Sequence, residues 1–303
     1  MALQAHSRMK AGLAAVMKAG LALALVAACN GKQAMLPASA PAPAMAAAVT
    51  PEPTQDCSLY EFNNGARIRT LTGIIGSFAD SDIAQAVDSH ASAQEIAAGV
   101  SPYVTGIENW SPGSSSHAKA FALAISTDYF LTVKHLVEND PGGVIKVILP
   151  GGKTLNASYS KTFGGPTVSD IALVYVPAAT SSPSNLKFRK NGVIEGEMVM
   201  MHNQDSHVLG YVVKVVLDPK DYAVPVDEGS FSTSHVTFRG DSGSILTDAK
   251  GYIVGLIAQN ALHNGRNKVN PAFGASNATR VSSALPLLSY ELKKLKECEV
   301  RAR

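Results

Sequence analysis

The tetrapeptide Gly240-Asp241-Ser242-Gly243 is the stretch that decides how the rest of this 303-residue chain is interpreted. A serine hydroxyl is a weak nucleophile until an imidazole accepts its proton, and a carboxylate must hold that imidazole in the right tautomer. Glycines on both sides let the backbone turn sharply, so that main-chain amides can point at a reacting carbonyl oxygen. The tetrapeptide therefore directs attention to a histidine and an acidic residue earlier in the chain.

His135 and Asp170 are the residues whose positions fit these two roles. His135 closes the apolar run 130–134 and is followed by a short turn, whereas Asp170 stands directly before the apolar run 171–176. A carboxylate at such a strand edge can be buried against an imidazole without leaving its charge unpaired. We therefore predict Ser242 as nucleophile, His135 as base and Asp170 as orienting acid, with the amides of Gly240 and Ser242 as oxyanion hole.

Short runs rich in β-branched and aromatic residues, each bounded by Gly, Pro, Asn or Asp, predict ten β-strands. They are 103–107, 121–126, 130–133, 144–149, 171–176, 198–202, 208–217, 235–238, 244–247 and 252–258. So many strands with so little helix between them indicate an all-β barrel or sandwich. Ser242 is then expected in a tight turn between the strands 235–238 and 244–247.

Two stretches carry a helical pattern. Apolar residues at helical spacing predict a helix over 81–100, capped by Ser81 or Asp80 and packed outside the main domain. The final stretch predicts an amphipathic C-terminal helix whose apolar face docks on the second barrel. Its apolar face comprises Leu285, Leu287, Leu288, Leu292 and Leu295, and its polar face Glu291, Lys293, Lys294 and Lys296.

Residues 1–28 have the pattern of a secretory signal peptide, with basic residues before an apolar run and no acidic residue. The run ends in Leu25-Val26-Ala27-Ala28-Cys29, which resembles the cleavage box of bacterial lipoproteins and makes Cys29 the expected lipid anchor. The alternative is an ordinary signal peptide, cut near Ala28 or further on. Residues 29–56, rich in Ala and Pro, are expected to form an extended tether. The protein is therefore expected to be exported, at the cell envelope or outside the cell.

With Cys29 assigned to the lipid, two cysteines remain. In an exported protein, Cys57 and Cys298 are expected to pair, which would join an N-terminal extension, residues 57–99, to the C-terminal helix. Two free thiols remain the alternative.

Composition limits the partners and cofactors. Without the three basic residues of the leader, 23 of the 26 Lys and Arg side chains face 24 Asp and Glu, so the mature chain is nearly neutral. Neither a nucleic-acid partner nor binding to an anionic membrane surface is indicated. No cluster of His, Cys and Glu has the spacing of metal ligands, so no metal or cofactor is expected.

Residues 101–283 resemble the trypsin-like serine proteases, especially their bacterial branches. The segments that carry the likeness are Val100-Ser101-Pro102-Tyr103-Val104, Phe130-Leu131-Thr132-Val133-Lys134-His135, Gly196-Glu197-Met198-Val199-Met200, Phe238-Arg239-Gly240-Asp241-Ser242-Gly243-Ser244 and Gly251-Tyr252-Ile253-Val254-Gly255-Leu256. The resemblance implies a chymotrypsin-like double β-barrel over residues 100–303. It also implies an endopeptidase that hydrolyses a protein or peptide substrate through an acyl-enzyme on Ser242, with His135 and Asp170 in their family roles.

The resemblance further implies where a substrate side chain would bind. The base of that pocket is expected six residues before Ser242, at Val236, whose lack of charge argues against cleavage after Arg or Lys. Ile257, Ala258 and Gln259 stand where the family has a glycine-containing edge, and are expected to narrow the pocket. Asp241 pairs with a freed amino terminus in relatives that are activated by clipping, and here a basic side chain or backbone amides are expected to replace that partner.

Two alternatives to an active enzyme remain at this point. One is a catalytically silent binding or scaffolding lipoprotein of the same fold, its groove blocked by Gln259, Asn260 or residues 57–99. The other is an enzyme in which residues 57–99 form an inhibitory pro-region that must be removed.

Overall fold

The computed structural model describes residues 57–60, 63–83, 86–138, 142–162, 169–177, 183, 185–215, 229–259 and 276–302. The expected leader 1–28, the tether 29–56 with Cys29, the side chain of Gln259 and all of Asn260 lie outside the described residues. In the described part of the chain, no helix has both the length and the apolar character that a membrane crossing requires.

Strands dominate the described residues, together with four α-helices. The strands are β1 Phe78–Ala79, β2 Val104–Trp110, β3 His117–Ala124, β4 Tyr129–Thr132, β5 Val144–Ile148, β6 Thr154–Asn156, β7 Tyr159–Thr162, β8 Ala172–Tyr175, β9 Phe188–Arg189, β10 Met198–His202, β11 His207–Lys214, β12 Ser230–Thr233, β13 Ile245–Asp248, β14 Ile253–Gln259 and β15 Ser276–Arg280. The helices are α1 Asn64–Gly76, α2 His90–Val100, α3 Lys134–Glu138 and α4 Leu285–Ala302.

The strands form two sheets. The first is antiparallel and runs β6-β5-β2-β3-β4-β8-β7, and within the described residues it stays open. The second runs β1-β9-β14-β13-β10-β11-β12-β15, and an additional pairing of β14 with β15 closes six of its strands into a barrel. The expected all-β architecture of two barrels is confirmed, with a half-barrel in place of a closed first barrel. Each sheet has its own apolar core, and a third cluster spans both sheets and the helices.

The predicted strand 235–238 is wrong, whereas each of the other nine runs contains or overlaps a strand. The strand before the serine is β12, and the segment after it is held by side chains. The His235 ring contacts the Val208 carbonyl at 2.9 Å, and Ser276 Oγ donates to the His235 carbonyl at 2.8 Å. Such side-chain bonds satisfy backbone groups that a ladder would otherwise use.

The predicted helix over 81–100 begins nine residues late, at His90, where Ser89 Oγ caps it by accepting from the Ser92 amide. Ser81 cannot cap a helix because the second sheet binds it. Its amide donates to Asn191 Oδ1 at 3.0 Å and its hydroxyl to Asp248 Oδ2 at 3.1 Å. Helix α1, just upstream, was not predicted.

The C-terminal helix α4 has the predicted position but additional docking partners. It packs on α1, on the turn Ser58–Tyr60 and on β8 of the first sheet, and its apolar residues share one buried cluster with strands of both sheets, so its docking is not confined to the second barrel. The polar face was misassigned at Glu291, which is fully buried. Glu291 lies four residues after Leu287 and four before Leu295, and therefore belongs to the buried stripe of the helix.

Glu291 is buried because Arg67 of α1 lies opposite it. Arg67 Nη2 contacts Glu291 Oε1 at 3.0 Å, and neither side chain is exposed. Arg67 also donates to the hydroxyl groups of Tyr129 and Tyr159 and stacks on the Tyr175 ring, 3.9 Å from its centroid. Burial and the charge of Glu291 raise the pKa of Tyr129, so that its phenol stays protonated and donates to Glu291 at 3.0 Å. Two buried charges are thus fully hydrogen-bonded, which is what makes their burial tolerable.

The disulfide between Cys57 and Cys298 is confirmed, with the two Cα atoms 5.7 Å apart. It lies in the cluster that α1 and α4 share, and it closes a loop of 241 residues. In the chain-entropy account, a loop of that length stabilises the folded state by on the order of 5 kcal/mol. Residues 57–76 are therefore fixed to the body of the domain by a covalent bond and a buried ion pair together.

We expect Arg67→Met to lower the free energy of unfolding by about 3 to 5 kcal/mol, because it leaves Glu291 as a buried charge without its cation. Urea unfolding with the disulfide intact measures this loss. The double variant Arg67→Met, Glu291→Gln removes the uncompensated charge and should lose clearly less. A single variant within 1 kcal/mol of the wild type would contradict the importance of this pair.

Candidate active site

His135 lies where the first sheet gives way to the short helix α3. The buried strand β4 ends at Thr132, and α3 begins at Lys134, so His135 stands in the first turn of the helix with 40% of its side chain exposed. The neighbouring Leu136 and Val137 are buried in the first-sheet core and fix α3 in place. The imidazole of His135 is therefore exposed to solvent, while the helix that carries it is held in place by buried neighbours.

Asp170 holds His135 at two points. Its Oδ1 accepts from the His135 amide at 2.9 Å, and its Oδ2 lies 2.7 Å from His135 Nδ1. Because a carboxylate only accepts, Nδ1 carries the proton, and Nε2 is left to accept one from a nucleophile. Ser169 Oγ lies 3.2 Å from Thr279 Oγ1, which links this loop to β15 of the second sheet. The predicted base and orienting acid are thus brought together.

The turn that carries Ser242 is held between the two sheets. The Ser242 carbonyl accepts from the Phe121 amide of β3 at 2.7 Å, and the Gly243 amide donates to the Ile257 carbonyl of β14 at 2.7 Å. Gly243 has φ +81°, and a Cβ there would lie 1.9 Å from the Phe121 carbonyl oxygen. Only glycine fits this approach, which explains the second glycine of the tetrapeptide.

Asp241 shapes the same turn from inside. Its Oδ2 accepts from the Phe238 amide at 2.7 Å, and its own amide donates to the Phe238 carbonyl at 3.1 Å. A backbone amide therefore serves Asp241 as a partner, one of the two replacements expected for a freed amino terminus. Gly240, at φ +107°, adopts a conformation that favours glycine.

Three polar groups of this turn make no hydrogen bond to the described residues. The amides of Gly240 and Ser242 donate to none of the described residues, as an oxyanion hole requires of its donors. Ser242 Oγ likewise makes no hydrogen bond to His135 or to any other described side chain. Catalytic hydrogen bonds are often long in the absence of substrate and tighten only when one is bound.

Val236, the predicted base of a substrate pocket, differs from its two neighbours in burial. Val236 is 52% exposed, whereas His235 and Thr237 on either side of it are buried. In an extended segment alternate side chains point in opposite directions, so the inward positions here are 235 and 237. Thr237 Oγ1 lies 2.6 Å from Ser276 Oγ, which makes the interior beside the serine polar. The sequence indicated that alternate side chains of this segment point inward, but not which of the two sets does so.

The expected pocket wall needs correction at Ile257. Its side chain is 1% exposed and belongs to the apolar core of the second barrel, so it offers nothing to a substrate. Ala258 is buried as well. The Ile257 main chain has the functional contact, since its carbonyl receives the Gly243 amide. Phe121, whose main chain holds Ser242, was missed because nothing in its own segment marks it.

Three further histidines lie on or next to the second sheet, and His202 and His235 are buried. His202 Nε2 lies 2.8 Å from Thr247 Oγ1, and its Nδ1 lies 3.0 Å from His207 Nδ1. Burial, aided by His207 and His235, lowers the pKa of His202 to about 3, and burial also lowers the pKa of His235. Both rings are therefore neutral at ordinary pH and act as hydrogen-bonding parts of the core.

Solved structures resemble this fold at low sequence identity, whereas no protein-family model and no curated protein matches the chain. The HtrA-type protease AlgW, solved with a tripeptide, is 19% identical, with a TM-score of 0.51 over 67% of this chain and 64% of AlgW. The Rv3671c protease of M. tuberculosis in its active form is 19% identical, with a TM-score of 0.49 over 70% of this chain and 91% of that protein. The likeness to AlgW and the strand order together show that the chain has the chymotrypsin-like double β-barrel fold.

We expect Gly243→Ala to lower the free energy of unfolding by about 3 kcal/mol, because it combines a left-handed backbone with a clash against the Phe121 carbonyl. Gly113→Ala is the matched control, since Gly113 has φ +70° but nothing within 4 Å of the added Cβ. In the control, the free energy of unfolding should fall by only about 1 kcal/mol, the cost of placing alanine in a left-handed backbone conformation. Equal losses in urea unfolding would show that the contact between the sheets contributes nothing.

Proposed function

We propose that this protein is an exported serine endopeptidase that cleaves its substrate through an acyl-enzyme on Ser242. The observations that carry the proposal are the two hydrogen bonds that His135 donates to Asp170, from its amide and from Nδ1; the second selects the tautomer that a general base needs. The unengaged amides of Gly240 and Ser242 supply the second requirement, a site for the oxyanion.

The reaction follows from these groups. Ser242 Oγ attacks the substrate carbonyl while its proton passes to His135 Nε2, and the resulting oxyanion is bound by the two amides. The imidazolium then gives the proton to the leaving amine, and the C–N bond breaks. Water, deprotonated by His135, releases the acyl group and restores Ser242. Each oxyanion donor lowers the barrier by roughly 3 to 4 kcal/mol in serine proteases.

We further propose that the mature enzyme keeps residues 57–99. A pro-region must leave without unfolding the domain, but this segment carries Arg67, whose removal would strand Glu291 in the core. A single cut would also leave the segment attached through Cys57. Processing is proposed to remove only the leader, residues 1–28, so that Cys29 begins the mature protein.

Labelling with a serine-directed fluorophosphonate tests the proposal. The wild type should react at Ser242, and Ser242→Ala should not react there. Asp170→Asn should cleave peptides about 10⁴-fold more slowly with its fold intact, because it favours the wrong histidine tautomer. Asp241→Asn is unsuitable as a control because it alters the turn, whereas Asp82→Asn, at an exposed carboxylate, should change nothing. A folded wild type that neither labels nor cleaves would favour the silent scaffold.

Export and lipid anchoring rest on the leader and on the disulfide, which is typical of oxidising compartments. We expect Cys29 to be the first residue of the mature protein and to carry the lipid. Mass spectrometry of the N-terminal peptide from the membrane fraction measures this, and Cys29→Ser should release the protein from that fraction. An unmodified N-terminus further along the tether would support an ordinary signal peptide.

A further inference from the structure

A cleft of about 350 Å³ lies between the two sheets, away from His135. One wall is the β5–β6 connection of the first sheet, and the other is the tight turn between β10 and β11 of the second. Its lining comprises Ser101, Val104, Ile148, Leu149, Pro150, Gly151, Gly152, Gln204 and Asp205. Its volume falls within the range of sites that bind small molecules or single side chains.

The chemistry of the cleft suits a cation on an apolar stem. Asp205, which is exposed, is the one charged residue among those that line the cleft, and its carboxylate has no ion pair or hydrogen bond to the described residues. Ile148, Leu149 and Pro150 form an apolar wall. Basic side chains bind in this way, with methylenes on apolar surface and a charged head beside a carboxylate.

The polar end of the cleft is fixed before any ligand arrives. Asn203 Oδ1 accepts from the amides of Asp205 at 3.0 Å and Ser206 at 2.7 Å, which locks the turn. Ser101 Oγ is held by His207 Nε2 at 2.9 Å. A site whose polar groups are already positioned loses little entropy when it binds a ligand.

The cleft is one strand removed from the nucleophile. Gly106 of β2 faces Gln204, whose Oε1 lies 3.7 Å from the place of a Cβ on Gly106. Gly106 pairs with Phe121 of β3, and the Phe121 amide binds the Ser242 carbonyl. With about 4.8 Å between strands, the cleft lies roughly 10 to 15 Å from Ser242. An extended peptide covers that distance in about three or four residues.

We propose that this cleft is a specificity subsite that receives a basic side chain of the peptide substrate, about three or four residues from the scissile bond, with Asp205 as its selecting carboxylate. The inference rests on the proposed function, since it extends the same active site. It adds a preference for Lys or Arg at a position several residues from the scissile bond.

Cleavage profiling of a peptide library tests the subsite. The wild type should enrich Lys and Arg at one position three or four residues from the cut by roughly two- to fivefold, the effect of an exposed ion pair. Asp205→Asn should remove the enrichment, and Asp205→Lys should replace it with enrichment of Asp and Glu at the same position. Asp82→Asn removes an equal charge elsewhere and should leave the profile unchanged. Basic enrichment that survives Asp205→Lys, or no enrichment in the wild type, would overturn the proposal.

A binding measurement separates failure of the subsite from failure of the proposed enzyme. In the Ser242→Ala background, fluorescence anisotropy compares a fluorescein-labelled decapeptide with a central Lys against the same peptide with Glu. Ser242→Ala alone should bind the Lys peptide more tightly, and Ser242→Ala with Asp205→Lys should bind the Glu peptide more tightly. Equal binding would overturn the subsite whether or not the wild type cleaves.

Discussion

The main-chain contact between Phe121 and Ser242 is the constraint on which the candidate site depends. It brings a strand of the first sheet against the turn that carries Ser242, while the Gly243 amide binds the second sheet through the Ile257 carbonyl. The approach is so close that only glycine fits at 243. The serine is therefore positioned by both sheets at once, and the two sheets cannot shift relative to each other without moving it. Backbone hydrogen bonds, which depend little on side-chain identity, supply this precision.

Outside that contact, buried polar side chains attach the helices and connecting segments to the two sheets. Arg67 and Glu291 join the first and last helices to the tyrosines of the first sheet. Ser81 and Asp248 hold the connection between α1 and α2 on the second sheet. Each buried charge is satisfied by several partners, because an unpaired one would cost several kcal/mol. The helical extension is by this measure a structural part of the protein.

Local sequence patterns were sufficient to predict the fold class and the pairing of His135 with Asp170. The disulfide between Cys57 and Cys298, 241 residues apart, was predicted from the number of cysteines left in an exported chain. Strand ends are visible in the alternation of apolar and polar residues, and a carboxylate at such an end has few physical roles. Glu291 was misassigned since its charge was weighed above its spacing, although spacing decides which face a helical residue occupies. Val236 is exposed between the buried His235 and Thr237, so the inward-facing side chains of this segment are polar, contrary to the usual pattern of apolar residues inside. The cleft beside Asp205 joins residues about 50 to 100 positions apart, and no local pattern reports that.

The bond between Cys57 and Cys298 turns nearly the whole folded region into a covalent ring. A hydrolysed peptide bond anywhere inside such a ring changes its topology from circle to line without releasing a fragment. A copy that is cut once within this ring gains the mass of one water and keeps both parts joined. In electrophoresis it would migrate as a single species until a reductant broke the disulfide. A single internal cut is therefore detectable as a difference in electrophoretic mobility between the reduced and the non-reduced protein.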